Sequence, residues 1–383
     1  MSDYKHEYAI LFLNTVFGAL TGFFLPVYLK SINITGWQVG VLLAVSPLVT
    51  FLASFPIGMI NDKINSKILV MISMVLTASY YFGLAFVKGF WVLALFSVVY
   101  GVSVNLFQIS LNSLVMKRVS HAGKGRVLGT YVLFNGLGCS IGLFSGGSLL
   151  KALDFQIVFI ITGISFLALS LYSLLLPLTE TVAVKAREYV NDIKSRKVLW
   201  LAVIYFLLAF HWGPEKTSVS LFLKEDVGLN VAQIGASMGV ALIFLGLGGY
   251  LFGKLYDKGL NLKKIVAFGL LMSAAGNIGW YFTINPLMVI LFRIVHEIGD
   301  GAFAVFVFLA ITDIFHKSRV GGNSAFISTI GVLGYVTGTV LSGGLGQVFG
   351  NAFPILVSGL LSLAGLLAVP KLDFSAGEQK NLY

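Results

Sequence analysis

Arg293, His296, Glu297 and Asp300 stand at i, i+3, i+4 and i+7 in an otherwise apolar stretch, a spacing that sets all four on one face of a helix. A second polar run, His211-Trp212-Gly213-Pro214-Glu215-Lys216, interrupts another apolar stretch. A carboxyl group with little water around it can take up a proton near neutral pH. Histidine titrates there unaided, and a guanidinium stays charged throughout. The combination suits a proton relay in which Arg293 pairs with Glu297 or Glu215 and releases it when a proton or substrate arrives. Glu297 and Asp300 are the expected proton carriers, with Glu215, His296, His211 and Arg293 completing the coupling set. A static ion-pair network is the competing reading, but well-packed apolar side chains would stabilise such a contact at least as well.

Uncharged amides form a second group. Asn105, Gln108 and Asn112 share a helical face with Gly101, and could bind hydroxyl or carbonyl groups. Asn14, Trp212 and Lys216 are the further substrate-binding candidates. Catalytic patterns fail. His296-Glu297 begins like the zinc-protease H-E-x-x-H, but position 300 is Asp; Glu297-Ile298-Gly299-Asp300 is one glycine short of the G-x-G-D of intramembrane aspartyl proteases. Cys139 is the only cysteine, so neither an internal disulfide nor a cysteine metal site is available. No enzyme, cofactor or metal site is expected.

These side chains need elements to hold them. Of the 383 residues, 57% are hydrophobic and 11% charged, against about 25% charged in a soluble domain. Apolar runs of about 20 residues, enough to cross a bilayer as helices, recur along the whole chain. The reading gives twelve spans, near 7–29, 37–58, 67–87, 90–116, 127–151, 156–177, 198–223, 231–253, 264–284, 287–315, 322–348 and 353–370. The first replaces a signal peptide, because the run from Ala9 is too long for a signal core. Lys and Arg concentrate in alternate loops, including Lys63, Lys67, Lys117, Arg118, Lys124, Arg126, Lys254, Lys258, Lys263 and Lys264. That bias places both termini in the cytoplasm of a cell-membrane protein. It also accounts for the net charge of +10 without a nucleic-acid partner. At a helical rise of about 1.5 Å per residue, Arg293 and Glu215 lie roughly 9 and 12 Å below the outer surface, and Glu297, His211 and Asp300 roughly 15, 18 and 20 Å.

The two sets of six repeat one another. Gln38-Val39-Gly40 returns as Gln233-Ile234-Gly235, and Gly58-Met59-Ile60-Asn61-Asp62-Lys63 as Gly253-Lys254-Leu255-Tyr256-Asp257-Lys258. Six helices repeated in parallel is a transporter plan with the substrate site between the halves. The duplicated loop resembles the inner-loop signature G-x-x-x-D-(R/K)-x-G-(R/K)-(R/K) of the major facilitator superfamily, with Asn65 at the second glycine. Gly138, Gly142, Gly146 and Gly147 are similar to the antiporter pattern G-x-x-x-G-P-x-x-G-G of its drug-exporting branch, with Leu143 at the proline; as small residues they also serve helix packing. The tenth span resembles the family's R-x-x-Q-G-x-G-x-A stretch, which normally lies on the fourth span, where this chain has Ser97.

The resemblance implies an all-α membrane protein of twelve transmembrane helices in two pseudo-symmetric six-helix bundles, residues 1–178 and 198–383, joined by a cytoplasmic linker at 179–197. It places the first, fourth, seventh and tenth helices around a central cavity, with the charged faces opposite water or substrate. Gly58, Asp62, Lys63, Gly253, Asp257 and Lys258 are expected to latch the halves on the cytoplasmic side, each acid near the N-terminus of the helix that follows it. The expected function is alternating-access transport by a monomer, proton-coupled export of an amphipathic or drug-like compound. Proton-coupled uptake of a polar or anionic nutrient and lipid flipping are the alternatives.

Overall fold

The computed structural model describes residues 2–22, 24–120, 122–181, 186–372 and 374, and among them the chain is helical with no strand. The N-terminal half contains α1 (Lys5–Gly22, continued by Leu25–Ser31), α2 (Gly36–Lys63), α3 (Ser66–Phe86), α4 (Phe90–Arg118), α5 (Lys124–Ala152) and α6 (Phe155–Tyr172). The C-terminal half contains α7 (Arg196–Ala209, resumed as Trp212–Thr217), α8 (Val231–Asp257), α9 (Leu262–Tyr281), α10 (Pro286–Ile314), α11 (Val320–Phe349) and α12 (Ala352–Gly365). Among the described residues, ten helical segments are long and apolar enough to cross a membrane. The other two, α1 and α9, begin with charged turns, Lys5 to Glu7 and Lys263-Lys264, and complete the two sets of six.

Local chemistry explains the repeated motifs. Gln38 and Gln233 are helix-start residues: their Oε1 atoms accept the backbone amides of Thr35 and Asn230 at 3.0 and 2.9 Å. Each closes a capping box that satisfies donors a helix leaves unpaired. The break in α7 is equally local. Pro214 has no amide to continue the ladder, and the chain tightens to three-residue bonds, His211 N to Leu208 O and Gly213 N to Phe210 O, both 3.0 Å. Gly213 lies against the backbone of Gly338 and Thr339 on α11, where a Cβ has no room.

The halves meet chiefly through two helix pairs, α5 with α8 and α2 with α11, with lesser contacts of α5 on α10 and α4 on α11. Gly125, Gly129 and Gly136 of α5 face Gly253, Gly249 and Gly246 of α8, so two backbones run in close contact along a glycine seam. Gly58 of α2 packs on Gly321, Gly322 and Ala325 of α11. Both contacts are tight at the end that bears the lysine-rich loops. At the other end Gly343 and Gly344 of α11 have nothing within 4 Å of a Cβ, whereas a Cβ on Gly239 of α8 would still meet the Phe144 ring of α5 at 2.7 Å.

Gly138, Gly142 and Gly146 face α1 rather than the opposite half. A Cβ on Gly138 would lie 2.8 Å from Phe12 O, and one on Gly142 2.5 Å from Val16 O. Their demonstrable work is the packing of α1 on α5. The surroundings of Gly147 lie outside the described residues.

Candidate functional site

The charged face of α10 meets the broken part of α7 and the middle of α9. Arg293 bonds Glu215 Oε1 through Nη1 and Glu297 Oε1 through Nη2, the second at 2.5 Å. It therefore holds both carboxylates that the sequence offered as alternatives. His296 Nε2 stands 3.1 Å from Glu215 Oε1 and 3.6 Å from Asp300 Oδ2. His211 Nε2 stands 2.8 Å from the same Asp300 oxygen. The two imidazole rings are 4.9 Å apart and nearly perpendicular. One connected chain thus runs Glu297–Arg293–Glu215–His296–Asp300–His211. The local reason is the kink: with α7 interrupted at Phe210 and His211, His211 and Glu215 both turn toward α10.

The hydrogen-bond partners also place protons. His211 Nδ1 donates to the carbonyl of Leu208, and His296 Nδ1 donates to the carbonyl of Ser273 at 3.0 Å. Each ring therefore has an acceptor at Nδ1 and a carboxylate at Nε2. A hydrogen bond in each Nε2–carboxylate pair needs one proton between them, on the ring or on the acid. A neutral imidazole with its proton on Nδ1 beside an ionised acid cannot make the Nε2 hydrogen bond.

Arg293, His296, Glu297 and Asp300 are all buried, and the Glu215 side chain is the most accessible member at 20% exposure. Asp300 Oδ1 and Arg293 Nε are buried without a hydrogen-bond partner. This arrangement corrects the expectation that the charged faces open directly onto a central cavity. They are folded into the C-terminal half between α7, α9 and α10, because Ser273 and a glycine contact of Gly276 against His296 let α9 close over them.

The cavity lies alongside, at the junction of the halves, with a volume of about 320 Å³. Asn105, Gln108 and Asn112 of α4 line it with Thr50 and Ser54 of α2. Tyr205 and Trp212 of α7 and Ser324, Ser328 and Tyr335 of α11 form the opposite wall. Gln108 projects into the opening, whereas Asn105 is tied to Thr50 O at 3.1 Å and Asn112 accepts from the Tyr131 hydroxyl at 2.7 Å. Asn14 is half-buried on α1 and is not among the lining residues. Lys216 has a side chain outside the described residues. Trp212 joins the two regions: it lines the cavity, and its ring packs against His211 at 5.7 Å and Tyr205 at 6.0 Å.

The latch residues sit where the halves close, but with different partners from those expected. Asp62 does not serve the helix that follows it. It accepts the backbone amides of Gly321 and Gly322 at 3.0 and 2.8 Å, at the start of α11 in the other half. Asp257 does the same in reverse, accepting the amides of Gly125 and Arg126 at 2.8 and 2.7 Å at the start of α5. A carboxylate at a helix N-terminus meets unpaired amides and the positive end of the dipole. Lys63 and Lys258 are exposed at the rim; the cation on Asp62 is Lys117, at 3.0 Å.

Sequence reading missed several partners. Tyr189, on a short linker helix (Ala186–Ile193), is buried and donates its hydroxyl to Asp62 Oδ2 at 2.9 Å. Burial, with the Asp62 carboxylate beside it, pushes this phenol above its ordinary value. Arg319 pins the same helix to α11 through Asp192 (2.8 Å) and Glu188 (2.9 Å). Lys124 of α5 pairs with Asp313 of α10. None of these pairs has a spacing signature, since their members lie more than a hundred residues apart; the usable signal was only that the linker carries acids among its bases.

Comparison with known proteins agrees with this architecture. The sequence matches the profile of the Major Facilitator Superfamily over residues 8–215 and 216–380. It is 25% identical over 289 residues to the MFS-type transporter SLC18B1 of Rattus norvegicus, covering 68% of this chain and 60% of that one. It is 24% identical over 370 residues to the quinolone resistance protein NorA of Staphylococcus aureus, covering 90% of both. The fold superposes on the human organic anion transporter MFSD10 with a TM-score of 0.81 at 14% identity, over 95% of this chain and 98% of that one. The duplicated six-helix halves and the family match over nearly the whole chain make it a member of the Major Facilitator Superfamily of multi-pass membrane transporters.

Proposed function

We propose that the chain exports amphipathic, drug-like small molecules in exchange for protons. One observation carries the reading: a connected chain of acids and histidines lies one aromatic side chain, Trp212, from a cavity of uncharged polar and aromatic groups. The lining suits a ligand with apolar faces and a few hydrogen-bonding groups, and the volume falls in the range of small-molecule sites, about 300–1,000 Å³. Arg293 is committed to Glu215 and Glu297, which weighs against an anionic substrate pairing with it. The likeness to a quinolone resistance protein along 90% of the chain supports a drug-like substrate as well.

In this reading the chain acts as a monomer in the cell membrane, with the latched, lysine-rich end and both termini in the cytoplasm. The residues 1–178 and 198–383 rock about residues 179–197. Occupation of the cavity moves Trp212, Trp212 shifts His211, and the His211–Asp300 pair gives up its proton.

The test is flux. Purified protein is placed in liposomes holding a pH-sensitive dye, and amphipathic fluorescent compounds are screened for proton movement that depends on the compound. Glu297→Gln and Asp300→Asn are expected to abolish that coupled movement while the protein still elutes as a single folded species. Wild-type coupling in both variants removes the relay.

A further inference from the structure

The histidine pair has a second use. His211, Glu215 and His296 bring three ligand atoms within 4.8 Å of one another. Asp300 Oδ2 stands 2.8 Å from the first imidazole and 3.6 Å from the second. Donor atoms around a four-coordinate first-row metal, with bonds near 2.0–2.1 Å, are separated by about 3.4 Å. Side-chain adjustments on the order of 1 Å therefore turn this set into a coordination shell. We infer that His211, Glu215, His296 and Asp300 form a binding site for one divalent first-row transition cation.

Three features beyond proximity point to a ligand. The first is the outer support. Both Nδ1 atoms are held on backbone carbonyls, those of Leu208 and Ser273. This fixes the tautomer that leaves each Nε2 lone pair turned inward, the arrangement that orients metal-binding imidazoles. The second is Asp300 Oδ1, a buried carboxylate oxygen of the same cluster with no hydrogen-bond partner. An orphaned acceptor beside two inward Nε2 atoms is a group waiting for a Lewis acid. The third is charge. Glu215, Glu297 and Asp300 bring three negative charges and Arg293 one positive. Once the two protons shared by the Nε2–carboxylate pairs are released, the cluster sums to −2, which one divalent cation cancels in a region of low dielectric. Arg293 keeps Glu297 as its partner while Glu215 turns to the metal.

The donor set selects the class. Two imidazoles with carboxylates favour Zn²⁺, Co²⁺, Ni²⁺ or Cu²⁺ over Mg²⁺ and Ca²⁺, which take oxygen shells. Glu215, one-fifth exposed where its neighbours are buried, is the point of access. The sequence shows only two separate i,i+4 pairs, His211 with Glu215 and His296 with Asp300, because the ligands come half from α7 and half from α10. The site stands on its donors alone and does not require the chain to be an exporter.

The probe is Co²⁺, whose visible absorption intensifies in four-coordinate nitrogen and oxygen sites. Tag-free protein in detergent is titrated with CoCl₂, with excess MgCl₂ present. About one Co²⁺ per chain is expected, with that absorption, and Zn²⁺ should displace it. His211→Asn and His296→Gln should each weaken binding on the order of tenfold or more, while Ser324→Ala, on the cavity wall, should leave it unchanged. If the histidine variants fold poorly, X-ray absorption of the unmodified cobalt protein decides, because two imidazole rings must appear in its scattering. No Co²⁺ absorption, displacement by Mg²⁺, wild-type affinity in folded histidine variants, or scattering without imidazole each overturns the site. Metal binding that persists where drug-coupled proton movement is absent supports the site and counts only against the export reading.

Discussion

Asp62 near the end of α2 accepts the backbone amide of Gly322 at the start of α11 at 2.8 Å, across 260 positions of sequence. Asp257 repeats the contact from α8 to α5. Two acids that read as loop residues are therefore cross-half helix caps.

Asp62→Asn and Asp257→Asn remove the charge from those caps while keeping a side chain of the same size. An N-terminal cap and its dipole contribution are each worth about 0.5–2 kcal/mol, a shift of roughly twofold to thirtyfold between closed and open forms. Spin-label distances across the latched ends of α2 and α11 should broaden toward longer values. Unchanged distributions in both variants would show that the caps do not set the balance.

Tyr189→Phe deletes the linker's bond to Asp62 and nothing else on that ring. Because the phenol is raised above its ordinary value, its bond is fully present below about pH 10 and is lost as pH rises through the raised value. The wild-type and Phe proteins should thus differ in linker protection at neutral pH and converge only in strong alkali. Hydrogen exchange over residues 186–193 measures this; equal protection at pH 7 counts against the contact.

Gly58→Val meets a crowded seam, since a Cβ there lies 2.5 Å from Ala325 Cβ and 2.7 Å from Gly321 O. The protein should insert and fold, yet be trapped away from the latched form and transport poorly. Gly18→Ala, with nothing within 4 Å, should behave as wild type.

Arg293→Leu leaves Glu215 and Glu297 without their shared cation. Stranding a buried charge by removing its partner costs about 3–5 kcal/mol, so thermal unfolding in detergent should begin several degrees lower. Adding Glu297→Gln should restore part of the loss. A variant as stable as wild type would mean that the carboxylates are not held ionised by Arg293.

Trp212→Ala opens the partition between the cavity and His211. Substrate should still bind through Gln108 and the α11 hydroxyls, with affinity reduced by several fold, but its binding should no longer trigger proton release. Stopped-flow dye measurements separate the two; intact proton release would place the coupling elsewhere.

Much of this molecule is written locally. Spans follow from apolar runs that only a helix can carry through a bilayer, and the repeat follows from Gln38 and Gln233, whose capping role needs only three residues of context. The spacing of Arg293, His296, Glu297 and Asp300 was enough to put them on one face, and Pro214 enough to break α7. Which groups those faces meet was decided by the tertiary structure. Asp62 looks near in sequence to α3 but lies against α11; Lys63 is adjacent to it yet Lys117 is its partner; the charged cluster turns into its own half behind Trp212 instead of opening onto the cavity. The physical reason is that helix formation and capping are settled by neighbours within a turn, whereas pairing across helices depends on where glycine seams allow two backbones to touch, and that is a property of the packed bundle rather than of any stretch of chain.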